Sequence, residues 1–343
     1  MKFARGVCAT RRGLTLVELL VVLGIFGMLI GLLLPAVQAA RESARRSTCA
    51  NNLGQLTLAT LSFEVVNRGF PSAMNAGRPF PINDRLTNFY SVQCVILPFL
   101  EQAIVFNSIN FYLPSYDPAG LQQYHLTVAS QSIGLFLCPS DPRGRSSSLA
   151  RNSYRACVGL PDSTITNRGT YRQIYNGLFV PSYSIQNGLF VDSVLPSAAI
   201  TDGLSNTLAY SEKPIGSTSL VEGSPFRDWY YQGIDNASLN SGLWRVACSR
   251  LVEPQLQLNA GSTWMLPGAI YTQFYAADSP NSSVPDCGNA SSMGFGMFTA
   301  RSFHPAGVNA SMADGSVRWF SSTTQLKLWQ DLGTRAGGEV TGL

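Results

Sequence analysis

The most pronounced pattern in the chain is an apolar run near its beginning. Residues 19–40 form 22 consecutive positions without a charged side chain. About 20 apolar residues, at ~1.5 Å each, cross the ~30 Å hydrocarbon core, whereas a secretory signal has an apolar core of only about 7–15 residues. We therefore predict a single transmembrane helix over 14–37 that persists in the mature protein.

A helical pattern continues beyond the apolar run. From 41 to 66 there is no proline, and Gly54 is the single glycine. Apolar or small residues recur there at alternating steps of four and three, which places them on one helix face. These residues are Cys49, Leu53, Leu56, Thr60 and Phe63. Residues 67–69, followed by Pro71, supply a helix stop, so we predict a helical stem over 38–67.

After the stem the chain changes character. Short β-branched or aromatic runs alternate with turns rich in Gly, Asn, Asp and Ser, which predicts mainly antiparallel strands. Residues 90–101 are compatible with a short helix or a buried strand. The better strand candidates are 177–191, 208–211, 229–233, 242–246, 269–275 and 317–320. We predict an α+β protein in which a long N-terminal helix precedes one β-rich exported domain over 68–343.

Charge argues against nucleic acid as a partner. The net charge is +4, but four of the 24 basic residues precede Gly13, and the rest balance the 20 acidic ones. A neutral mature chain has no overall field to attract phosphates.

The seven cysteines include no C-x-x-C pair, and the chain has two histidines, so we predict no metal site. Six cysteines remain if the first 13 residues are removed with Cys8. An even number suits an oxidising compartment, but six cysteines allow 15 full pairings. Several buried free thiols are the alternative.

Residues for catalysis are scarce. The two histidines are His125 and His304, and neither a G-x-S-x-G elbow nor a phosphate loop is present. We predict no catalytic residue and no cofactor, leaving open a cysteine–histidine pair assembled by the fold. The competing function is a membrane-tethered module for solute or carbohydrate, because exposed Trp and Tyr stack on sugars. The aromatic residues that would form such a row are Trp229, Tyr230, Tyr231, Trp244 and Trp264.

The string RRGLTLVELL at 11–20 resembles the prepilin, or type III, signal. The resemblance implies a leader over 1–13, cleavage after Gly13, N-methylation of Leu14, and pairing of Glu18 with the N-terminal ammonium of another pilin-like subunit. It also implies a prepilin peptidase/methyltransferase and inner-membrane lipid as partners, with the N-terminus cytoplasmic. Leu14 departs from the usual Phe or Met. A cut at the small residues 36–40, and a Glu18 that snorkels to the headgroups, remain alternatives.

Several further blocks resemble one large family of bacterial prepilin-like proteins with a C-terminal H-X9-DG signature. The matching blocks are CANNL at 49–53, LPFLEQ at 97–102, FLCPSD at 136–141, ITDGLSNT at 200–207 with Glu212 after it, and His304 nine residues before Asp314-Gly315. The resemblance implies export, a pilin-like architecture and, because both residues lie in family blocks, a Cys49–Cys138 disulfide. The role of the signature is not established in that family.

Physical reasoning suggests a structural role for these blocks. Asp314-Gly315 is a favoured turn pair, so we predict a hairpin in which 309–312 pair with 317–320. His304 would donate a ring hydrogen bond to a carboxylate or carbonyl. Asp202-Gly203 suggests an Asx-type turn, with calcium binding as the alternative. Together these features predict a pseudopilin-type structural or assembly component of a secretion or surface apparatus.

Overall fold

The computed structural model describes residues 15–76, 80–81, 89–115, 125–142, 149–161, 175–181, 183–186, 189–192, 194–231, 240–251, 255–288 and 296–338. The predicted cleavage site at Gly13 and Leu14 lies outside this part of the chain. The units Met1–Ala44 and Arg45–Leu343 are each compact and are described separately.

The first helix, α1, covers Leu16–Asn67 and continues through Pro35. Its large apolar side chains between Leu16 and Val37 are exposed, as expected for a surface that faces lipid. Within the described residues, this helix alone is long and apolar enough to cross a membrane. The length and composition agree with the predicted span.

The end of α1 is a hydrogen-bonded cap. Arg68 adopts a left-handed conformation with φ of 58°. The Gly69 N–H then donates to the Glu64 carbonyl at 3.1 Å, which is the longer bond of a Schellman motif. The helix thus ends at the predicted stop.

The rest of the chain contains short elements. The other helices are α2 (Val92–Val95), α3 (Ala103–Asn107), α4 (Leu126–Ala129), α5 (Ser241–Ser249) and α6 (Leu326–Gly333). The strands are β1 (Asn75–Ala76), β2 (Phe80–Pro81), β3 (Phe89–Tyr90), β4 (Tyr154–Cys157), β5 (Tyr183–Gln186), β6 (Leu189–Asp192), β7 (Leu208–Glu212), β8 (Trp229–Tyr231), β9 (Gln255–Gln257), β10 (Gln273–Phe274), β11 (Asp286–Gly288), β12 (Gly296–Met297), β13 (Gly307–Met312) and β14 (Val317–Ser321).

The largest sheet in the described residues has five strands in the order β10-β4-β7-β13-β14. Only the β10–β4 pair in it is parallel. A four-stranded sheet, β12-β11-β8-β9, has one parallel pair, β11–β8. The remaining sheets are β2-β6-β5 and β1-β3. The predicted α+β class with mostly antiparallel strands is confirmed.

The five-stranded sheet is covered on both faces. On one face, Thr57 of α1 donates to Ser311 at 2.7 Å, and the Thr60 and Tyr210 hydroxyls also lie 2.7 Å apart. On the other face, alternate residues of β13 belong to a buried cluster with Trp329 of α6. Strand side chains point to opposite faces at successive positions, so β13 serves both layers.

The stem face predicted from sequence is the face that packs. Four of its five residues are buried and Phe63 is half-buried. The Arg46 guanidinium lies over the Trp319 ring of β14, 3.6 Å from its centroid. The C-terminal part of α1 is therefore an integral layer of the domain.

One predicted strand is wrong. Residues 242–246 belong to α5, because the Asn240 side chain accepts a hydrogen bond from the Leu243 N–H and starts a helix. Trp244 and Cys248, four residues apart, are its buried positions. The short run 242–246 fits the periodicity of a strand and that of a helix, and the Asn240 cap decides for the helix.

The other predictions need smaller changes. Of the predicted strand 269–275, only Gln273 and Phe274 form a strand, β10. The residues before them form a turn, because the N–H groups of 271–273 all donate to the Gly268 carbonyl. The predicted 177–191 strand contains the hairpin β5–β6, with 182 and 187–188 outside the described residues. Residues 90–101 are mostly helical, as one of the two interpretations held.

Candidate functional site

Four residues from separate sequence blocks meet in the interior of the domain. Cys49 lies on α1, Cys138 follows a 3-10 turn, Glu212 ends β7, and His304 precedes β13. One sulfur, oxygen or nitrogen atom from each lies within 4.8 Å of the others, and all four residues are buried. We call these four residues the motif cluster.

The two cysteines of the motif cluster form a disulfide. Their Cα atoms are 5.3 Å apart, and 89 positions separate them in the chain. The pairing implied by the family resemblance is therefore confirmed. The bond ties α1 to the segment that follows the domain's first helices.

The other four described cysteines include one disulfide and two free thiols, so each of the two expected alternatives holds for one pair. Cys248 and Cys287 form a second disulfide, whereas Cys94 and Cys157 are buried free thiols. Burial raises the pKa of each free thiol to about 12, so both stay protonated at neutral pH.

His304 links the disulfide to a carboxylate. Its Nε2 atom lies 3.2 Å from Oε1 of Glu212 and 3.7 Å from Sγ of Cys138. Its backbone N–H donates to the Ser302 hydroxyl at 3.2 Å. The ring contact with a carboxylate is the one expected from sequence.

Glu212 is held in place from the neighbouring strand. The backbone N–H of Asn309 donates to Oε2 at 2.8 Å, and the side-chain amide of Asn309 donates to Oε1 at 3.0 Å. Because both groups lie on β13, the carboxylate orientation is set by the pairing of β7 with β13. Burial without such donors would be costly for a carboxylate.

The predicted hairpin is present. Asn309 pairs with Trp319, and Ser311 pairs with Val317. Gly315 has φ of 94°, which accounts for glycine at this turn. The Asp314 side chain accepts hydrogen bonds from the Ser316 N–H at 2.9 Å and hydroxyl at 2.7 Å. The signature residues Asp314 and Gly315 therefore build a turn.

This turn packs on the 200–207 block. The N–H groups of Ala313 and Asp314 donate to the carbonyls of Thr207 and Leu204, at 2.8 and 3.2 Å. Two family blocks that are distant in sequence thus contact each other directly.

Asp202 and Gly203 lie apart from the motif cluster, in a turn of the same block. The Asp202 carboxylate accepts hydrogen bonds from the N–H groups of Gly337 and Gly338, at 2.7 and 2.9 Å. Gly203 has φ of 92°. Asp202 therefore lies in a turn, but its carboxylate joins the turn to the C-terminal segment and does not close the predicted Asx-type turn, which would need a bond to the N–H two residues on.

A second buried polar group lies beside the motif cluster and was not predicted. Asp286 forms ion pairs with Lys213 and with Arg301, the latter at 3.1 Å. Lys213 also donates to the Thr299 carbonyl at 2.9 Å. We call Lys213, Asp286 and Arg301 the charge cluster. Since Glu212 and Lys213 are consecutive, the end of β7 supplies one residue to each cluster.

Burial and the ion pairs act in opposite directions on the pKa values of this charge cluster. Desolvation lowers the pKa of Lys213 to about 7, opposed by attraction to Asp286. The pKa of Asp286 lies below its ordinary value, because attraction to Lys213 and Arg301 together with hydrogen bonds outweighs burial. No local sequence motif marks the three residues of the charge cluster. Lys213, which follows Glu212, is the one that adjoins a family block.

A small cleft reaches both clusters. Its lining includes Cys138, Glu212, Lys213 and Arg301. Cys138 and Glu212 are thus the residues of the motif cluster that line the cleft.

Glu18 caps its own helix. The backbone N–H and the hydroxyl of Thr15 donate to Glu18 Oε2, at 2.9 and 2.8 Å, and the Glu18 N–H donates back to the Thr15 hydroxyl at 3.3 Å. This is a capping box, in which a Thr and the Glu three residues later satisfy free N–H groups at a helix start. The Thr-x-x-Glu spacing at residues 15–18 is the sequence signal of this capping box.

The aromatic residues proposed as a sugar-binding row are not an exposed row. Trp229, Trp244 and Trp264 are buried. Tyr230 and Tyr231 are half-buried and pack against the core. The distribution is that of core residues.

The apolar helix, its capped start and the stem layered on a β-sheet define a membrane-anchored exported protein of prepilin type. Residues 8–34 match the family model described as the prokaryotic N-terminal methylation motif, which implies processing by a prepilin peptidase. The chain belongs to the family described as protein of unknown function (DUF1559), whose model matches residues 38–327. No curated protein and no solved structure matches the chain significantly.

Proposed function

We propose that this protein is a pseudopilin-type structural subunit, anchored in the bacterial inner membrane by one helix and without enzymatic activity. Its N-terminus is cytoplasmic before cleavage, and its domain is periplasmic or extracellular. It serves the assembly of a secretion or surface apparatus together with other pilin-like subunits.

The observation that carries the proposal is Glu18 at the start of an exposed apolar helix that matches the methylation motif. A carboxylate inside a membrane costs ~2.5–3.5 kcal/mol at the helix centre, and less near an end. The capping box satisfies Glu18 within one subunit. During assembly, Glu18 exchanges its hydrogen bonds with Thr15 for an ion pair with the N-terminal ammonium of Leu14 in a neighbouring subunit. This ion pair is the assembly contact.

The absence of enzymatic activity is proposed from the environment of both histidines. His304 contacts a carboxylate and a sulfur that is already tied in a disulfide. His125 lies 3.2 Å from the Tyr90 hydroxyl, and burial lowers its pKa. The assembled Cys138–His304 pair therefore lacks a free thiolate as long as the disulfide is intact. Trp229, Trp244 and Trp264 are buried, so these three side chains offer no stacking surface for the sugar-binding alternative.

N-terminal sequencing of the protein from native membranes tests the processing step. We expect a mature chain that starts at Leu14, with or without a methyl group. A chain that starts beyond Ala40 would identify a released secreted protein and would refute the anchored subunit.

A second experiment tests assembly. Two differently tagged copies are co-expressed, and their association is measured by cross-linking and co-purification from membranes. Glu18→Gln should abolish association, while Glu222→Gln, a change at an exposed position of a short 3-10 helix, should leave it unchanged. Unchanged maturation and association in Glu18→Gln would exclude the pilin-type role.

A further inference from the structure

The motif cluster has the composition of a metal site. Two cysteine sulfurs, an imidazole nitrogen and a carboxylate oxygen converge within 4.8 Å. Thiolate, imidazole and carboxylate are the groups that bind zinc, most often four at a time and in a tetrahedron. The four residues come from four distant parts of the chain. No local metal-binding motif, such as a C-x-x-C pair, therefore marks them in the sequence.

The spacing of these groups fits a tetrahedral ion. With Zn–S of about 2.3 Å and Zn–N or Zn–O of about 2.0–2.1 Å, the tetrahedron has a sulfur–nitrogen edge of about 3.6 Å and a nitrogen–oxygen edge of about 3.3 Å. The observed separations are 3.7 Å for Cys138–His304 and 3.2 Å for His304–Glu212. Two of the six edges of the tetrahedron are therefore already in place, and the two sulfurs, now bonded to each other, must separate to about 3.8 Å to form a third.

The surroundings also resemble those of a metal site. The Glu212 carboxylate is oriented by two hydrogen bonds from Asn309. Such outer contacts fix ligand geometry and increase metal affinity. Cys138 and Glu212 also line the small cleft beside the cluster. The second disulfide, Cys248–Cys287, forms no such group, since the candidate metal set found in the described residues involves neither cysteine.

We propose that the motif cluster is a redox-gated metal site, which binds one zinc-class divalent cation through Cys49, Cys138, Glu212 and His304 once the disulfide is reduced. A dithiol supplies two electrons and two protons, so the S–S bond breaks and two thiols form while the dithiol becomes a disulfide. The cation then displaces both thiol protons. In the oxidised state, the disulfide of the cluster ties α1 to the rest of the domain. In the reduced state, the bound metal ion does so.

Cobalt spectroscopy on the full-length protein in detergent micelles tests this proposal. The protein is reduced with a phosphine, which leaves no competing thiol, and titrated with Co²⁺. We expect one equivalent to give thiolate-to-cobalt charge-transfer absorption with the visible bands of tetrahedral Co²⁺, and Zn²⁺ to displace it. The oxidised protein should give no such spectrum.

Matched variants identify the ligands. Cys138→Ser and His304→Ala should each weaken Co²⁺ binding at least tenfold, whereas the Cys248→Ser/Cys287→Ser variant should keep the wild-type spectrum. The two remaining thiols, Cys94 and Cys157, are buried and belong to no group of converging metal ligands in the described residues, so they should not compete. Near-UV circular dichroism of the reduced metal-free protein monitors the fold. As a control, mass spectrometry of the oxidised His304→Ala variant must still show the Cys49–Cys138 disulfide.

Several results would overturn the proposal. These are a folded, reduced wild type without thiolate–cobalt absorption, a spectrum that survives Cys138→Ser or His304→Ala, and loss of the fold on reduction that Co²⁺ does not restore. None of these results bears on N-terminal processing or subunit association, so the proposed function is tested independently.

Discussion

The motif cluster and the charge cluster are two buried polar groups side by side, and they differ in how the chain encodes them. Every residue of the motif cluster belongs to a recognisable sequence block, and a covalent bond reinforces it. The charge cluster joins Lys213, Asp286 and Arg301 without a comparable motif, and ion pairs and hydrogen bonds hold it without a covalent bond. Sequence blocks therefore mark the contacts between the stem and the sheet, not all buried polar interactions.

The charge cluster should be the more sensitive of the two. Asp286→Asn removes the carboxylate from two cations, and an unpaired buried charge costs ~3–5 kcal/mol. We expect a loss of this size in the free energy of unfolding, measured by urea denaturation at pH 6, where Lys213 is charged. Asp331→Asn, which breaks an exposed pair with Lys327, should cost about 1 kcal/mol or less. Similar losses in both variants would contradict this view.

Removal of the motif disulfide should have the next largest effect. Replacement of Cys49 and Cys138 by Ala should lower stability by ~2–4 kcal/mol. The same change at Cys248 and Cys287, which lie 39 rather than 89 positions apart, should cost roughly 0.7 kcal/mol less on loop entropy alone. A larger loss at the second disulfide would contradict this ranking of the two bonds by loop length.

The turn of the H-X9-DG signature should contribute less. Gly315→Ala places a side chain at φ of 94°, which costs about 1–2 kcal/mol. The added methyl group would meet only ordinary contacts with Leu58 and Leu61, so backbone strain is the sole cost. Gly134→Ala, at an open position, is the control and should be nearly neutral. Equal thermal shifts in the two variants would remove the conformational explanation.

Proton binding offers a gradual test of the charge cluster. Lys213 has a pKa of about 7 in the folded protein against about 10.5 when unfolded. Between these values the unfolded chain binds more protons, so stability should rise with pH, by at most about 1.4 kcal/mol per unit. Asp286, with its lowered pKa, contributes stability above its unfolded pKa of about 3.8 that is lost on acidification.

Unfolding curves at pH 7, 7.5 and 8, with disulfides intact, would reveal the rise below the pH at which Cys94 and Cys157 ionise in the unfolded chain. Lys213→Met removes the titrating group and should flatten the profile in this window. A wild-type profile as flat as that of the variant would show that Lys213 does not titrate there.

The sequence predicted the parts of the fold that depend on local pattern. The apolar run, the buried face of the stem and the Asp314-Gly315 hairpin follow from periodicity and turn chemistry that a few neighbouring residues specify. The 242–246 segment shows the limit. Its short apolar pattern suits a strand or a helix, and the Asn240 cap decided between them.

The sequence by itself determined a membrane helix, its processing motif and the order of the blocks, because each is written in consecutive residues. The tertiary structure alone decided that His304 and Glu212 meet the Cys49–Cys138 bond and that Asp286 neutralises Lys213. These contacts join residues 73 to 255 positions apart, and their strength depends on exclusion of water by the packed sheet. Neither the long-range geometry nor the low dielectric is visible in a linear pattern.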